Sequence, residues 1–451
     1  MRPRVTIVRW HTVGVQARHN PASQRHCLLS DSQSAQANTS LPSRGDKSVA
    51  ISMLIVGSGE LEADDAIANI INSTICRALA YFDFALQTGD TSLPERAREL
   101  LASGVRLAAE AGAVSLWWIA RLCLNLISDL WDHSLHVNLP VLAPEGGEEE
   151  YAALRQLFLV SLYGRKSAEV ELWPSQLEAA SRSSDISDDL VVSLPTSAGK
   201  TRVAELAALM TLSTRKRVLI VTPLRALSAQ TERSFRRTFA PLGFTVSSLY
   251  GASGISAGDE DALRSKDIVI STPEKLDFAL RNDPTLISDV GLIVLDEGHL
   301  IGPTEREIRY EILVQRLLRR ADAPSRRIVC LSAILPDGRQ LDDLTAWILS
   351  DVEGAPVRSQ WRPTRQRFGS LVWQGTAAKL SFDLNEDGPY LARFVEQAPA
   401  RGRQTKTLPR NVKDLTLLAA WNFAAQGKRT LIFLTQANWV EGLHTGLPAG
   451  C

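Results

Sequence analysis

Cysteine is scarce and scattered in this chain. Cys27, Cys76, Cys123, Cys330 and Cys451 are its five, with no C-x-x-C pair and no histidine pairs nearby. That excludes a zinc finger or a disulfide-stapled fold and suits reduced thiols in the cytoplasm. Net charge is missing too, because 50 Lys and Arg are balanced by 50 Asp and Glu. No global field draws the protein to a polyanion, so any nucleic-acid path must be a local stripe. No apolar run approaches the roughly 18 residues of a membrane span, and the basic start lacks the hydrophobic centre of a signal peptide. The expectation is a soluble, cytoplasmic protein with no membrane partner.

What is present falls into segments. Residues 1–55 are polar and aperiodic and are expected to be disordered, with Met53 a second candidate start. Residues 56–165 have helical periodicity, from Ala63 to Thr88 and again from Pro94 to Gly112. The run Ser115 to Trp131 places Trp117, Trp118 and Trp131 at spacings that read as core, a base-stacking platform being the alternative. This all-α accessory region offers a surface for a protein partner, and its chemistry is not legible. After an acidic Pro/Gly linker at Pro144 to Glu150, residues 166–355 alternate strand and helix. Strands are expected at 190–194, 217–222, 244–249, 267–271, 291–296 and 326–331, hence an α/β fold with a parallel sheet. Residues 356–412 read as an irregular linker. A helix from Lys413 to Gln426 and a buried strand from Arg429 to Leu434 then read as the start, over 413–451, of a second domain whose remainder is missing.

Two motifs stand at strand ends, where ligands of such sheets bind. The first is Pro195-Thr196-Ser197-Ala198-Gly199-Lys200-Thr201, between an apolar strand and a helix. A glycine-containing turn there directs backbone N–H groups and a helix N-terminus at an anion. Lys200 reaches the outer phosphates and the Thr201 hydroxyl can hold Mg²⁺. Leu194 stands where the general pattern has its first glycine. The second motif is Asp296-Glu297-Gly298-His299 after a hydrophobic run. Asp296 suits a Mg²⁺ contact through water, and Glu297 can orient the attacking water. Together they predict a nucleotide triphosphatase using ATP and Mg²⁺, with Glu297, Lys200 and Asp296 as catalytic residues.

These motifs resemble those of superfamily 2 helicases of the DExH type, in the superkiller-like branch that includes archaeal repair helicases. The order continues: Thr222-Pro223-Leu224-Arg225 looks like motif Ia, Ser271-Thr272-Pro273-Glu274-Lys275 like motif Ib, Ser332-Ala333-Ile334 like motif III, and Leu431 to Gln436 like the start of motif IV. Trp173-Pro174-Ser175-Gln176 has the spacing of a Q-motif. The likeness spans about residues 170–440. It implies a RecA-like P-loop domain preceded by an all-α domain and followed by a second RecA-like domain only begun. It also implies that Gln176 reads adenine, that Arg225, Thr272 and Lys275 touch nucleic-acid phosphates without sequence preference, and that His299 and Ser332 couple the nucleotide to motif III. Ile334 replaces the usual threonine of motif III and loses its hydroxyl. Motifs V and VI, with their arginine fingers, would lie in the missing domain, so the chain is expected to be impaired alone. The implied function is an ATP-dependent nucleic-acid helicase or translocase, DNA favoured over RNA by analogy with repair and defence relatives. A non-catalytic nucleotide-binding or scaffolding fragment is the alternative.

Overall fold

The computed structural model describes residues 4–6, 10–12, 63–249, 257–333, 339–349, 354–363, 365–382, 389–398, 408–434 and 439–441. The expectations for Met53, Ile334, Thr435 and Gln436, and for most of 1–55, lie outside those residues. The chain divides into two compact units: residues 1–32 with 363–451, and residues 33–362.

Strands β1 (Arg4–Thr6) and β2 (Trp10–Thr12) fall in the stretch expected to be disordered. The larger unit begins with α1 (Ala63–Thr88), α2 (Ser92–Glu110) and α3 (Val114–Asp132), which share a core of Ile71, Ala78, Leu101, Ile127 and Trp131. Trp117 packs at its edge, whereas Trp118 faces solvent. The helical region is not separate from the parallel sheet. Helices α4 (Leu135–Asn138) and α5 (Tyr151–Tyr163) send Leu135, Leu154, Phe158 and Leu162 into the core of the sheet. Helix α5 buries one face, Tyr151, Leu154, Phe158, Leu159 and Leu162, and leaves Leu157 and Val160 exposed on the other.

After α6 (Pro174–Ser183) come β3 (Leu190–Ser193), α7 (Lys200–Ser213), β4 (Arg217–Val221), α8 (Arg225–Phe239), β5 (Val246–Leu249), α9 (Ala257–Ser265) and β6 (Ile268–Ser271). They are followed by α10 (Pro273–Asn282), β7 (Val290–Leu295), α11 (Glu305–Leu318), β8 (Arg327–Ser332), α12 (Arg339–Ile348) and β9 (Val357–Arg358). The seven strands form one parallel sheet in the order β5-β6-β4-β7-β8-β3-β9. Every residue of β7 and β8 is buried, as expected when helices cover both faces. Helix α7 is buried from Val203 to Ser213. Its one inward acid, Glu205, is met by Arg202 (2.7 Å) and the Thr238 hydroxyl (2.8 Å). All six strands expected from hydrophobicity are present, within two residues of their limits.

The smaller unit corrects the linker reading. Strands β10 (Arg365–Arg367), β11 (Gly369–Gln374), β12 (Ala377–Phe382) and β13 (Tyr390–Glu396) occupy the segment expected to be irregular. They form an antiparallel sheet in the order β1-β11-β12-β13 and a ribbon of β10 with β2. Helix α13 (Val412–Ala425), capped by the Asn411 side chain, packs Leu415 and Ala419 on Leu371, Leu380 and Val395. The strands run only three to seven residues, and their burial alternates too little for a periodicity to show among the surrounding Arg, Gly and Pro. The buried strand expected at Arg429 to Leu434 is absent. Leu431 is 89% and Phe433 87% exposed. No described strand pairs with this segment, and an unpaired strand leaves its backbone groups unsatisfied.

Candidate functional site

The sheet register brings the motifs to one edge. Ser193 lies opposite Ser332 and Arg358, while Leu295 lies opposite Val221 and Cys330. The loop after β3, the turn after β7, and the segments after β4, β8 and β9 therefore emerge side by side.

In the first loop, Ser197 (φ 70°) and Gly199 (φ 86°) adopt the left-handed conformation that turns the chain into α7. The Ala198 carbonyl accepts from Ser175 Oγ (3.1 Å), and the Gly199 carbonyl accepts from Gln176 Nε2 (2.9 Å). With these carbonyls tied inward, the loop meets solvent at Thr196, Ser197 and Thr201 and at the start of α7, where unpaired N–H groups favour an anion. A Cβ at residue 199 would come 2.0 Å from Gln176 Nε2, so glycine is required by space as well as φ. Gln176 is 5% exposed; its Oε1 accepts from Trp173 N–H (2.7 Å) and its Nε2 donates to Gly199, so its amide bridges its own backbone turn and the loop.

Across the edge, Asp296 N–H donates to the Val221 carbonyl (2.9 Å), and Asp296 Oδ1 accepts from Glu297 N–H (3.0 Å). Glu297 has φ 52°, a conformation that a non-glycine residue holds at a cost of about 1–3 kcal/mol. That turn aims its carboxylate at Lys200, whose Nζ lies 3.7 Å from Glu297 Oε1. Burial, reinforced by the Glu297 charge, pushes the Asp296 carboxyl up to about 6. Burial also lowers Lys200, against the pull of both carboxylates.

Because the folded state raises Asp296 above its ordinary 3.8, the stabilising contribution of its protonated form is complete below that value and lost as pH rises through about 6. Asp296→Asn is therefore expected to stabilise the free protein at pH 7.5 by on the order of 2 kcal/mol, a gain that fades as pH falls from about 6 to about 4. Thermal melts across that range check it.

The turn is joined to β8 by backbone. Gly298 N–H donates to the Leu331 carbonyl (2.9 Å), Leu194 N–H donates to the Ser332 carbonyl (3.0 Å), and a Cβ at residue 298 would meet Cys330 Sγ at 2.2 Å. The side-chain coupling expected of His299 and Ser332 is not made. His299 Nδ1 is 3.4 Å from Glu297 Oε2 without hydrogen-bond alignment, and the buried Ser332 Oγ has no partner among the described residues. The buried Tyr310 hydroxyl on α11 is also unpartnered; burial first, then Cys330, Asp296 and Glu297, raise it well above its usual range. Two buried hydroxyls without partners among the described residues, Ser332 and Tyr310, thus lie in the strand and helix next to the carboxylate pair. Among the described residues no three acidic, histidine or cysteine side chains form a metal cage.

The candidate nucleic-acid residues divide. Arg225 is exposed at the start of α8. Thr272 is 6% and Lys275 7% exposed, and Lys275 Nζ is paired with Asp259 at 2.8 Å. In this structure the Lys275 ammonium is engaged by Asp259, and Thr272 stands at the N-terminus of α10. Sequence reasoning missed Arg306. Its guanidinium donates to the Pro223 carbonyl and to Glu274 (3.0 Å), tying α11 to the segment before Arg225 and to the first turn of α10. Its signal was only an arginine soon after Asp296-Glu297.

The DEAD/DEAH box helicase family model matches residues 173–344. The Hachiman protein HamB of Bacillus cereus is 30% identical over 368 residues, covering 79% of this chain and 32% of that protein. ATP-dependent DNA helicases Hel308 of Pyrococcus abyssi and Methanocella arvoryzae are 34% and 31% identical, over 46% and 49% of this chain and 26% and 29% of their own lengths. The chain thus spans about a third or less of these relatives. Among the described residues, no helix is long and apolar enough to cross a membrane. With the matched motifs at one edge of a parallel sheet, residues 173–344 are similar to a DEAD/DEAH box helicase domain.

Proposed function

We propose that this protein is the motor part of an ATP-dependent nucleic-acid helicase or translocase, acting on DNA in preference to RNA. The Lys200–Glu297 approach of 3.7 Å carries the reading, because it brings a phosphate-binding lysine and a water-orienting carboxylate together from distant segments. The preference for DNA is supported by the name of the Hel308 relatives, ATP-dependent DNA helicases.

In this reading Lys200 leaves Glu297 for the outer phosphates, which frees the carboxylate to orient water and accept its proton. Thr201 and Asp296 would hold Mg²⁺, which supplies neutralisation of phosphate charge. Backbone bonds from Leu194 and Gly298 to β8 carry the change to motif III, and Arg306 carries it to the segment before Arg225. Protein partners are part of the proposal. Helix α3 leaves Trp118, Ile119, Leu122 and Leu126 exposed as one stripe, the kind of patch that marks a contact surface.

Nucleic-acid binding tests the reading. It is expected to be sequence-independent, with a shallow dependence of log K on log salt, since few phosphates are neutralised. Arg225→Ala should lower the slope by about 0.7–0.9, one phosphate contact. A steep slope untouched by that change would place the binding surface elsewhere. Competition between single-stranded DNA and RNA of one sequence decides the preference.

A further inference from the structure

Tyr310 lies in the second turn of α11, 3% exposed, in the same core cluster as Leu295 and Cys330. Cys330 is packed directly beneath the Asp296–Gly298 turn, since a Cβ at residue 298 would meet its Sγ at 2.2 Å. The Tyr310 hydroxyl has no hydrogen-bond partner among the described residues, yet it is close enough to the turn for the charges of Asp296 and Glu297 to act on it. One turn earlier, Arg306 holds α11 to the Pro223 carbonyl and to Glu274 (3.0 Å), so the helix side of this approach is fixed. The carboxylate side is the adjustable one. Glu297 keeps φ 52°, a conformation typical of segments with more than one arrangement, and faces Lys200 Nζ at 3.7 Å. Asp296 takes the Glu297 N–H on Oδ1 (3.0 Å), which leaves Oδ2 for another donor.

We propose that Tyr310 is a positioning residue for Asp296: its hydroxyl has no partner in the free protein and donates to the Asp296 carboxylate once a nucleotide is bound. The inference rests on reading this edge of the sheet as a nucleotide site. A buried hydroxyl without a partner costs roughly 5- to 150-fold in the folding equilibrium, and phenylalanine would fill the same space without that cost. The cost is offset only in a state where the hydroxyl is bonded. In the proposed cycle Lys200 leaves Glu297 for the phosphates, which removes a constraint on the strained turn. The turn then relaxes towards α11. A phenol donating to a carboxylate is a charge-assisted bond, stronger than one between neutral groups, and it holds Asp296 at both oxygens in one orientation.

The test compares Tyr310→Phe with the unchanged 451-residue chain, by thermal melts of the free proteins and by calorimetric titration with Mg²⁺–ATP. The free variant is expected to melt no lower and up to about 2 °C higher. Its affinity for Mg²⁺–ATP should fall by about 10- to 150-fold. A side chain that merely fills the core would move both quantities in one direction or leave binding alone. In an Asp296→Ala background, where the acceptor is gone, Tyr310→Phe should change affinity by less than about 2-fold. A lower melting temperature would show the hydroxyl already bonded in the free protein and would overturn the inference. So would the full loss of affinity persisting in the Asp296→Ala background. Normal binding that Tyr310→Phe does not weaken overturns this inference alone, whereas absence of binding by the unchanged protein overturns the nucleotide reading and this inference with it.

Discussion

Lys200→Ala is expected to remove Mg²⁺–ATP binding, weakening it at least about 100-fold, while the protein remains folded. Two interactions decide the size. The ammonium is the cation standing against the Asp296–Glu297 turn, 3.7 Å from Glu297, so no described charge replaces it when phosphates arrive. A charge-assisted contact to phosphate in a partly desolvated site exceeds an ordinary hydrogen bond, and the loss also leaves phosphate charge facing two carboxylates. The fold tolerates the change because the lysine is held against a burial cost that lowers its ionisation. Circular dichroism and a fluorescent ATP analogue, titrated against both proteins, check the two halves. Unaltered affinity would exclude the loop as the phosphate site.

Glu297→Gln has the second large effect, on turnover instead of binding. The amide keeps size and hydrogen bonding, so nucleotide affinity should change little. The residue can no longer accept a proton from water, and general-base contributions run to about 10²–10⁴ in rate. Phosphate release with and without nucleic acid, measured on the wild-type and Glu297→Gln proteins, checks it; equal turnover by the two would exclude Glu297 as the base.

Much of this was legible because the signals were local. Parallel strands buried on both faces read as apolar runs, and Gly199, Lys200 and the Asp296–Glu297 pair each stand at a strand's end for reasons internal to a few residues. What was not legible depended on partners distant in sequence. Whether Lys275 meets solvent is decided by Asp259, and the engagement of Gln176 by the carbonyl of Gly199. The short strands β11 to β13 have too little length for periodicity to outweigh their Arg and Gly neighbours. Leu431 and Phe433 have the apolar character of a core strand, but a strand is completed only by a neighbour to pair with.

One measurement bears most directly on the nucleotide site: calorimetric titration of this chain with ATP, in Mg²⁺ and in EDTA, from pH 5 to 8. One site per chain is expected, dependent on Mg²⁺, with affinity constant above about pH 7 and falling as the Asp296 carboxylate takes a proton near 6. Asp296→Asn should remove both the Mg²⁺ dependence and that fall. Binding indifferent to Mg²⁺ and to Asp296, or no binding at neutral pH, would contradict the assignment of this edge of the sheet as the motor's fuel site.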